Sequence, residues 1–325
     1  MGSETAMDDR AATAARYRRF AADEARGRSP LYERLSDFVA NDAEILDFLL
    51  TLPEPKRQPN LLLAAFRHLF GVQEDAQIFR ATLLAETGPL RALMLARATQ
   101  TNEPGRCATL LPLLATLPQP LALLEVGASA GLCLLPDFYS YDFNGTRLGT
   151  GGPLLPCAVN AATPIPTEVP QVVWRAGLDL NPLDAADPED RAWLECLVWP
   201  EQTARRDRLR AALDIAAVQR PRVVQGDLLS EALPRLAAEA PRDATLVIFH
   251  TAVLAYLPPA GRAAFAATVK DLCHHWISNE APGVMPWPVA AGAEGGQFVM
   301  AIDGAPCART DPHGARLDWL PRQGP

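Results

Sequence analysis

Hydrophobic residues recur at three- and four-residue spacing from about residue 8 to residue 116, the period of one face of an α-helix. Ser29 and Pro30 supply an N-cap and a first-turn proline, and the run NLLLAAFRHLF stops at Gly71, a residue favoured just beyond a helix C-terminus. The spacing therefore predicts several short helices and no strand. The TLPQP stretch at 116–120 interrupts it, because two prolines so close cannot both lie inside a helix. A domain boundary is expected there. It separates a helical N-terminal lid or substrate domain (1–118) from a second domain (119–325).

Beyond the break the texture changes to short apolar runs separated by helical stretches. The runs at 121–126, 172–180, 222–228, 245–251, 274–280 and 297–303 predict strands, and RDRLRAALDIA and PAGRAAFAATVKDL predict helices between them. Strand alternating with helix implies a parallel sheet with right-handed crossovers, an α/β fold. Asp303-Gly304 between two strand-like runs predicts a hairpin that adds antiparallel strands at the C-terminal edge. The segment 144–170, rich in Gly and Pro, is expected to be an irregular insertion.

Composition narrows the function classes. The 325 residues are 49% hydrophobic, with a net charge of −8 spread along the chain, so there is no basic stripe for phosphate contacts and no nucleic-acid partner is expected. A small-molecule substrate is the expected partner. The first twenty residues hold no apolar signal segment, and no run approaches the roughly 18 apolar residues of a spanning helix. A cytoplasmic location and no membrane partner are expected. Six scattered cysteines form no C-x-x-C pair and read as reduced core residues. His274 and His275 are adjacent and diverge on any regular element, so no metal is expected. The pattern leaves the oligomeric state unknown.

Candidate chemistry concentrates in LLEVGASAGLCL (123–134). A strand ending in a carboxylate, followed by small residues opening a helix, lets backbone N–H groups approach a ligand at the carboxyl edge of an open sheet. Glu125, Gly127, Ser129 and Gly131 are the candidate ligand-binding positions. The G-x-G-x-x-G dinucleotide pattern is not met, and there is no G-K-[ST]. The same five residues, Gly127 to Gly131, also read as the G-x-S-x-G nucleophile elbow, with His250 or His313 and Asp303 or Asp311 as possible partners of Ser129. An α/β-hydrolase places several strands before its elbow, whereas this chain reads helical up to residue 118.

Four spaced segments, LLEVGASAG, GLDLNP, VVQGDLL and LVIFHTAVLAYLP, resemble class I S-adenosylmethionine-dependent methyltransferases, with Ser129 standing where that family has its middle glycine. The resemblance implies a Rossmann-like sheet and S-adenosylmethionine as cofactor. It also implies that Glu125 and Gly127 line the methionine end, that Asp179 accepts from the ribose hydroxyls, and that Asp227 and Leu228 edge the adenine. The whole chain is similar to the bacterial domain-of-unknown-function family 2332, through TQTNEPGR, LEVGASAGLCLL, VWRAGLDLNPLD, WPEQ, FHTAVLAYLP, SNEAPG and TDPHG.

On the acceptor side, His250 at the end of the fourth parallel strand is a candidate base, since imidazole titrates near neutrality. The two Asn-Glu pairs, Asn102-Glu103 and Asn279-Glu280, are candidates to bind or activate a substrate, with Tyr256 lining the same pocket. If the N-terminal helices cover the carboxyl edge, Asn102 and Glu103 would face His250 and Glu280 across one cavity. The alternative is that each Asn and Glu only caps its local backbone. The expected function is a small-molecule methyltransferase. A serine hydrolase using Ser129 and a non-catalytic ligand- or partner-binding module remain open.

Overall fold

The computed structural model describes residues 2–287 and 296–321. The chain is mixed α/β, with a helical N-terminal region and an eleven-stranded mixed sheet. It divides into two compact units, Met1–Thr101 with Pro188–Asp207, and Asn102–Asp187 with Arg208–Pro325.

The first unit begins with helices α1 (Gly2–Arg19), α2 (Pro30–Ala40), α3 (Ala43–Leu50) and α4 (Pro59–Phe70). It continues with α5 (Ala76–Ala85) and α6 (Thr87–Ala96). Ser29 caps α2 by accepting the Tyr32 N–H at 3.1 Å, and Gly71 ends α4 at φ 80°. A later piece of sequence completes this unit: α8 (Pro188–Leu197) packs on α4, and the buried Trp193 donates its indole N–H to the Ala98 carbonyl at 3.1 Å. The WPEQ stretch, whose sequence suggests a helix start, instead caps α2 from a distance. Glu201 accepts from the Ser29 hydroxyl at 2.7 Å and the Leu31 N–H at 3.0 Å, and α9 (Thr203–Gln219) begins only after it.

In the second unit α7 (Arg106–Leu114) precedes β1 (Leu121–Val126). After β1 come β2 (Ser140–Phe143), β3 (Thr146–Leu148), β4 (Leu154–Val159) and β5 (Val172–Asp179). The other parallel strands are β6 (Arg222–Gln225), β7 (Thr245–Thr251) and β8 (His275–Glu280), joined through α10 (Ala232–Ala237) and α11 (Pro259–Leu272). The chain closes with β9 (Phe298–Ile302), β10 (Ala305–Thr310) and β11 (Arg316–Trp319). The sheet order is β3-β2-β4-β11-β10-β9-β8-β7-β1-β5-β6. Strands β6, β5, β1, β7 and β8 run parallel, and β9 pairs antiparallel with β8. From β1 the chain winds to one side through β5 and β6, then crosses back to β7 and β8, so its direction reverses between β1 and β7.

The core of this unit lies where one sheet face meets α10 and α11. Leu124, Val126, Ile248 and Trp276 from the strands pack there with Leu236 and Phe265 from the helices. Because side chains alternate along strands, Glu125, Phe249, Thr251 and Asn279 point to the other face, which is the face Arg106 of α7 reaches.

Three expectations need correction. The segment expected to be an irregular insertion carries β3 and β4, which together with β2 just before it extend the sheet beyond the C-terminal strands. Nor does a helix follow the glycine turn: only two short 3-10 turns occur, Leu132–Leu134 and Pro136–Phe138. Pro136 accounts for this, because it disfavours the helical conformation at the residue before it, and Leu135 sits at φ −116°, ψ 37°. The β9–β10 hairpin at Asp303-Gly304 is present as expected, with Asp303 at φ 52° and Gly304 at φ 86°, but it lies within the sheet and not at its edge, because β11, β4, β2 and β3 continue beyond it.

Candidate functional site

The turn after β1 is buried and left-handed at three of its five positions, with φ of 73°, 50° and 71° at Gly127, Ser129 and Gly131. Close packing explains its small residues. A Cβ on Gly127 would lie 2.3 Å from Val253 Cγ2, one on Gly131 would lie 2.9 Å from Pro221, and one on Gly177 of β5 would lie 2.5 Å from Ala128 Cβ. Ser129 is the non-glycine residue held in this strained region.

Every backbone N–H of the turn already has an acceptor within the protein. Gly127 and Ala128 donate to the Leu178 carbonyl, Ser129 to Asp179 Oδ2 at 2.8 Å, Ala130 to Asn102 Oδ1 at 3.0 Å, and Gly131 to the Ala128 carbonyl. Asn102 Nδ2 also donates to Ser129 Oγ at 2.6 Å. With no helix beginning here and its amides occupied, the turn does not present the amide cradle expected from the sequence. Its contribution to a site is shape, and Asn102 and Asp179 hold that shape.

Glu125, 4% exposed, is the acid of the turn, and its Oε2 is buried without a hydrogen-bond partner. Burial pushes its carboxyl well above the ordinary range, Cys133 adds to this, and Arg106 opposes it. Arg106, 5% exposed, donates from Nε to the Pro312 carbonyl at 2.9 Å and from Nη1 to the Thr251 carbonyl and hydroxyl at 3.0 and 3.1 Å. Asn279, paired with Thr251 in the β7–β8 register, accepts from the Thr310 hydroxyl at 2.8 Å while its Nδ2 has no partner. Glu103 accepts the Gly105 N–H at 3.0 Å, and its other oxygen lies 3.6 Å from His313 Nδ1. Backbone meets backbone beside it: a Cβ on Gly105 would fall 2.3 Å from the His313 carbonyl oxygen, so the NEPG and DPHG stretches require each other.

His250 and Glu280 meet on the opposite face. His250 Nδ1 lies 2.7 Å from Glu280 Oε1, which also accepts the Val253 and Leu254 N–H groups at 2.8 and 3.0 Å. The imidazole is fully buried against the rings of Phe265 and Trp276. Burial alone would raise the Glu280 carboxyl, but the His250 bond and the two amides outweigh it and hold it below its ordinary value. The expected single cavity is thus replaced by two groups: Asn102, Glu103, Glu125 and Asn279 with the α7 face, and His250 with Glu280 on the α11 face. The second group anchors the segment whose Val253 side chain rests on Gly127.

Asp179 and Asp227 end β5 and open the loop after β6, and they are tied by the Gly226 N–H donating to the Asp179 carbonyl. Asp227 is exposed, and its Oδ1 accepts the Leu229 N–H at 2.8 Å. Leu180 and Leu229, beside these acids, are unusually open for leucine at 61% and 46% exposure, while Leu228 packs towards the core. Tyr256, 77% exposed, lines no enclosed site. A cavity of about 320 Å³ opens beside the turn against Ala130, Leu183, Asp184, Ala216 and Arg220; of the turn only Ala130 lines it, and none of the individual candidate residues Glu125, Gly127, Ser129, Gly131, Asp179, Asp227 or His250 does. Among the described residues no group of three or more His, Cys, Asp and Glu is placed to hold a metal ion, and no helix is long and apolar enough to cross a membrane. All six cysteines are free.

The family model described as "Uncharacterized protein conserved in bacteria (DUF2332)" matches residues 14–319. The chain belongs to this family. The match takes in both compact units, including the turn, α7 and the DPHG loop. No curated protein matches the chain.

Proposed function

We propose that the sheet unit binds S-adenosylmethionine at the carboxyl edge of β1, β5 and β6 and transfers its methyl group to a small molecule. One observation carries this reading: the strand order β6-β5-β1-β7-β8 reverses direction between β1 and β7, and open parallel sheets bind ligands in the crevice outside their carboxyl ends at such a reversal. Glu125, Gly127 and Asp179 lie there. In the class I methyltransferases that the sequence resembles, the corresponding positions bind the cofactor.

The residues present suit such a ligand. Asp179 already accepts the Ser129 and Asn181 N–H groups, and each carboxylate oxygen retains a lone pair for a ribose hydroxyl. The exposed Asp227 suits an exocyclic amine, with Leu180 and Leu229 offering apolar surface to a purine. Bound S-adenosylmethionine supplies an electrophilic methyl group. The protein's part is to hold the turn by Asn102 and Asp179 and to keep the Val253 segment over Gly127 through Glu280. Calorimetry with S-adenosylhomocysteine is expected to show binding. Asp227→Ala, a change at an exposed side chain, should weaken it about tenfold, and Gly127→Val should remove it. No binding by the native protein at about 1 mM ligand would overturn the reading.

The φ of 50° at Ser129 favours a second reading, because a nucleophile elbow holds its serine in a strained turn. Against it, the Ser129 hydroxyl accepts from the Asn102 amide, which cannot serve as a base. A fluorophosphonate probe is expected to leave Ser129 unlabelled; stoichiometric labelling there would move the assignment to a hydrolase.

A further inference from the structure

Arg106 is the least explained charge in the sheet unit. It is 5% exposed, all three of its hydrogen bonds go to uncharged oxygens, and among the described residues it makes no ion pair. An arginine withdrawn from water without a counter-ion is costly. The local acids do not fill the role. Glu125 is pushed towards its neutral form by burial, and Glu103 holds the Gly105 N–H and faces His313. On the same face, across the β7–β8 pair from the threonine that Arg106 holds, Asn279 is fully buried with its Nδ2 donor unpartnered. Around Thr251 the Arg106 cation and the Asn279 donor thus stand without an acid bonded to them, on the face that also holds the unpartnered Oε2 of Glu125, at the carboxyl edge where the strand order reverses.

We propose that Arg106 and Asn279 form a subsite for the carboxylate group of a small-molecule ligand. With Nε and Nη1 of Arg106 held by Pro312 and Thr251, Nη2 keeps two N–H donors and the positive charge for a carboxylate oxygen, and the Asn279 amide supplies a further donor. A phosphate dianion suits the site less well, since a single cation would have to balance it with Glu103 close by. This deepens the methyl-transfer reading and rests on it for the choice of source: the carboxylate belongs either to the amino-acid end of the cofactor or to the acceptor.

Trifluoroacetate, followed by fluorine-19 NMR, is a suitable probe, with trifluoroethanol as its uncharged control. The native protein should bind trifluoroacetate saturably and trifluoroethanol not at all. Arg106→Met should weaken the binding about tenfold or more. Asn279→Asp keeps the acceptor for Thr310 while replacing the donor by an anion, and should do the same. Circular dichroism reports whether each variant folds, and if Arg106→Met does not, Asn279→Asp decides. Displacement of trifluoroacetate by S-adenosylhomocysteine but not by 5′-methylthioadenosine, which lacks the amino-acid end, assigns the carboxylate to the cofactor. Binding of S-adenosylhomocysteine without displacement assigns it to the acceptor. If S-adenosylhomocysteine fails to bind while trifluoroacetate binding still depends on Arg106, the methyl-transfer reading falls and the subsite stands. No saturable trifluoroacetate binding, or equal binding by folded Asn279→Asp, overturns the subsite.

Discussion

Glu125→Gln is expected to make the folded protein more stable than the native sequence at pH 8 and to leave it nearly unchanged at pH 4. Burial, with Cys133 adding and Arg106 opposing, places the folded-state carboxyl well above its ordinary value of 4.5. An acid whose affinity for protons is higher folded than unfolded makes the folded state hold more protons. Stability then falls as pH rises from the ordinary value towards the raised one. Below the ordinary value both states are protonated and the penalty vanishes. Every tenfold increase in proton affinity is worth about 1.4 kcal/mol, and glutamine keeps the shape of the protonated acid without the charge. Urea midpoints measured from pH 4 to pH 8 test this. A constant gap between variant and native protein across that range would show that Glu125 titrates as it does in the unfolded chain. Buried acids with strongly perturbed proton affinity cluster at binding and catalytic sites.

The second large effect is expected on the other face. Glu280→Leu should lower stability by about 3–5 kcal/mol, the usual cost of breaking a buried pair by removing one partner. The loss strands His250 Nδ1 and the Val253 and Leu254 N–H groups at once. The pH dependence has the opposite sign to that of Glu125. The Glu280 carboxyl is held below its ordinary value of 4.5, so its contribution is complete above that value and disappears as pH falls through the depressed one. The variant should therefore lose less stability on acidification than the native protein. A loss smaller than about 1 kcal/mol, with an unchanged acid limb, would mean that the Val253 segment has another anchor. S-adenosylhomocysteine titration of the variant asks whether that segment also shapes the turn at Gly127.

The sequence was most readable where burial is two-sided. Parallel strands such as β1 and β7 are covered on both faces, so they appear as unbroken apolar runs. Strand β4 alternates exposed and buried positions through Leu154–Val159, and the surrounding glycines and prolines hid that alternation. At the turn, the small residues marked a close approach correctly but not what approaches: Val253, Pro221 and the β5 backbone do. Pro136 was available as a sign against a following helix, and it weighs more than the apolar residues before it. Arg106 carries no motif of its own in the sequence. Its one signal is being the sole charge at the head of the apolar run RCATLLPLL, and only its missing counter-ion turns that into chemistry.

The return of Pro188–Asp207 to the first compact unit has a consequence for how the chain is made. Synthesis is vectorial, and the first 101 residues leave the ribosome without Trp193, Trp199 or Glu201, the side chains that later pack among them and cap α2. At about 5–20 residues per second, that part of the nascent chain waits roughly 5–20 s while the first half of the sheet is translated. The N-terminal unit therefore cannot finish before the sheet unit begins. During that interval Phe20 and Tyr32 lack the Trp199 ring against which they later pack.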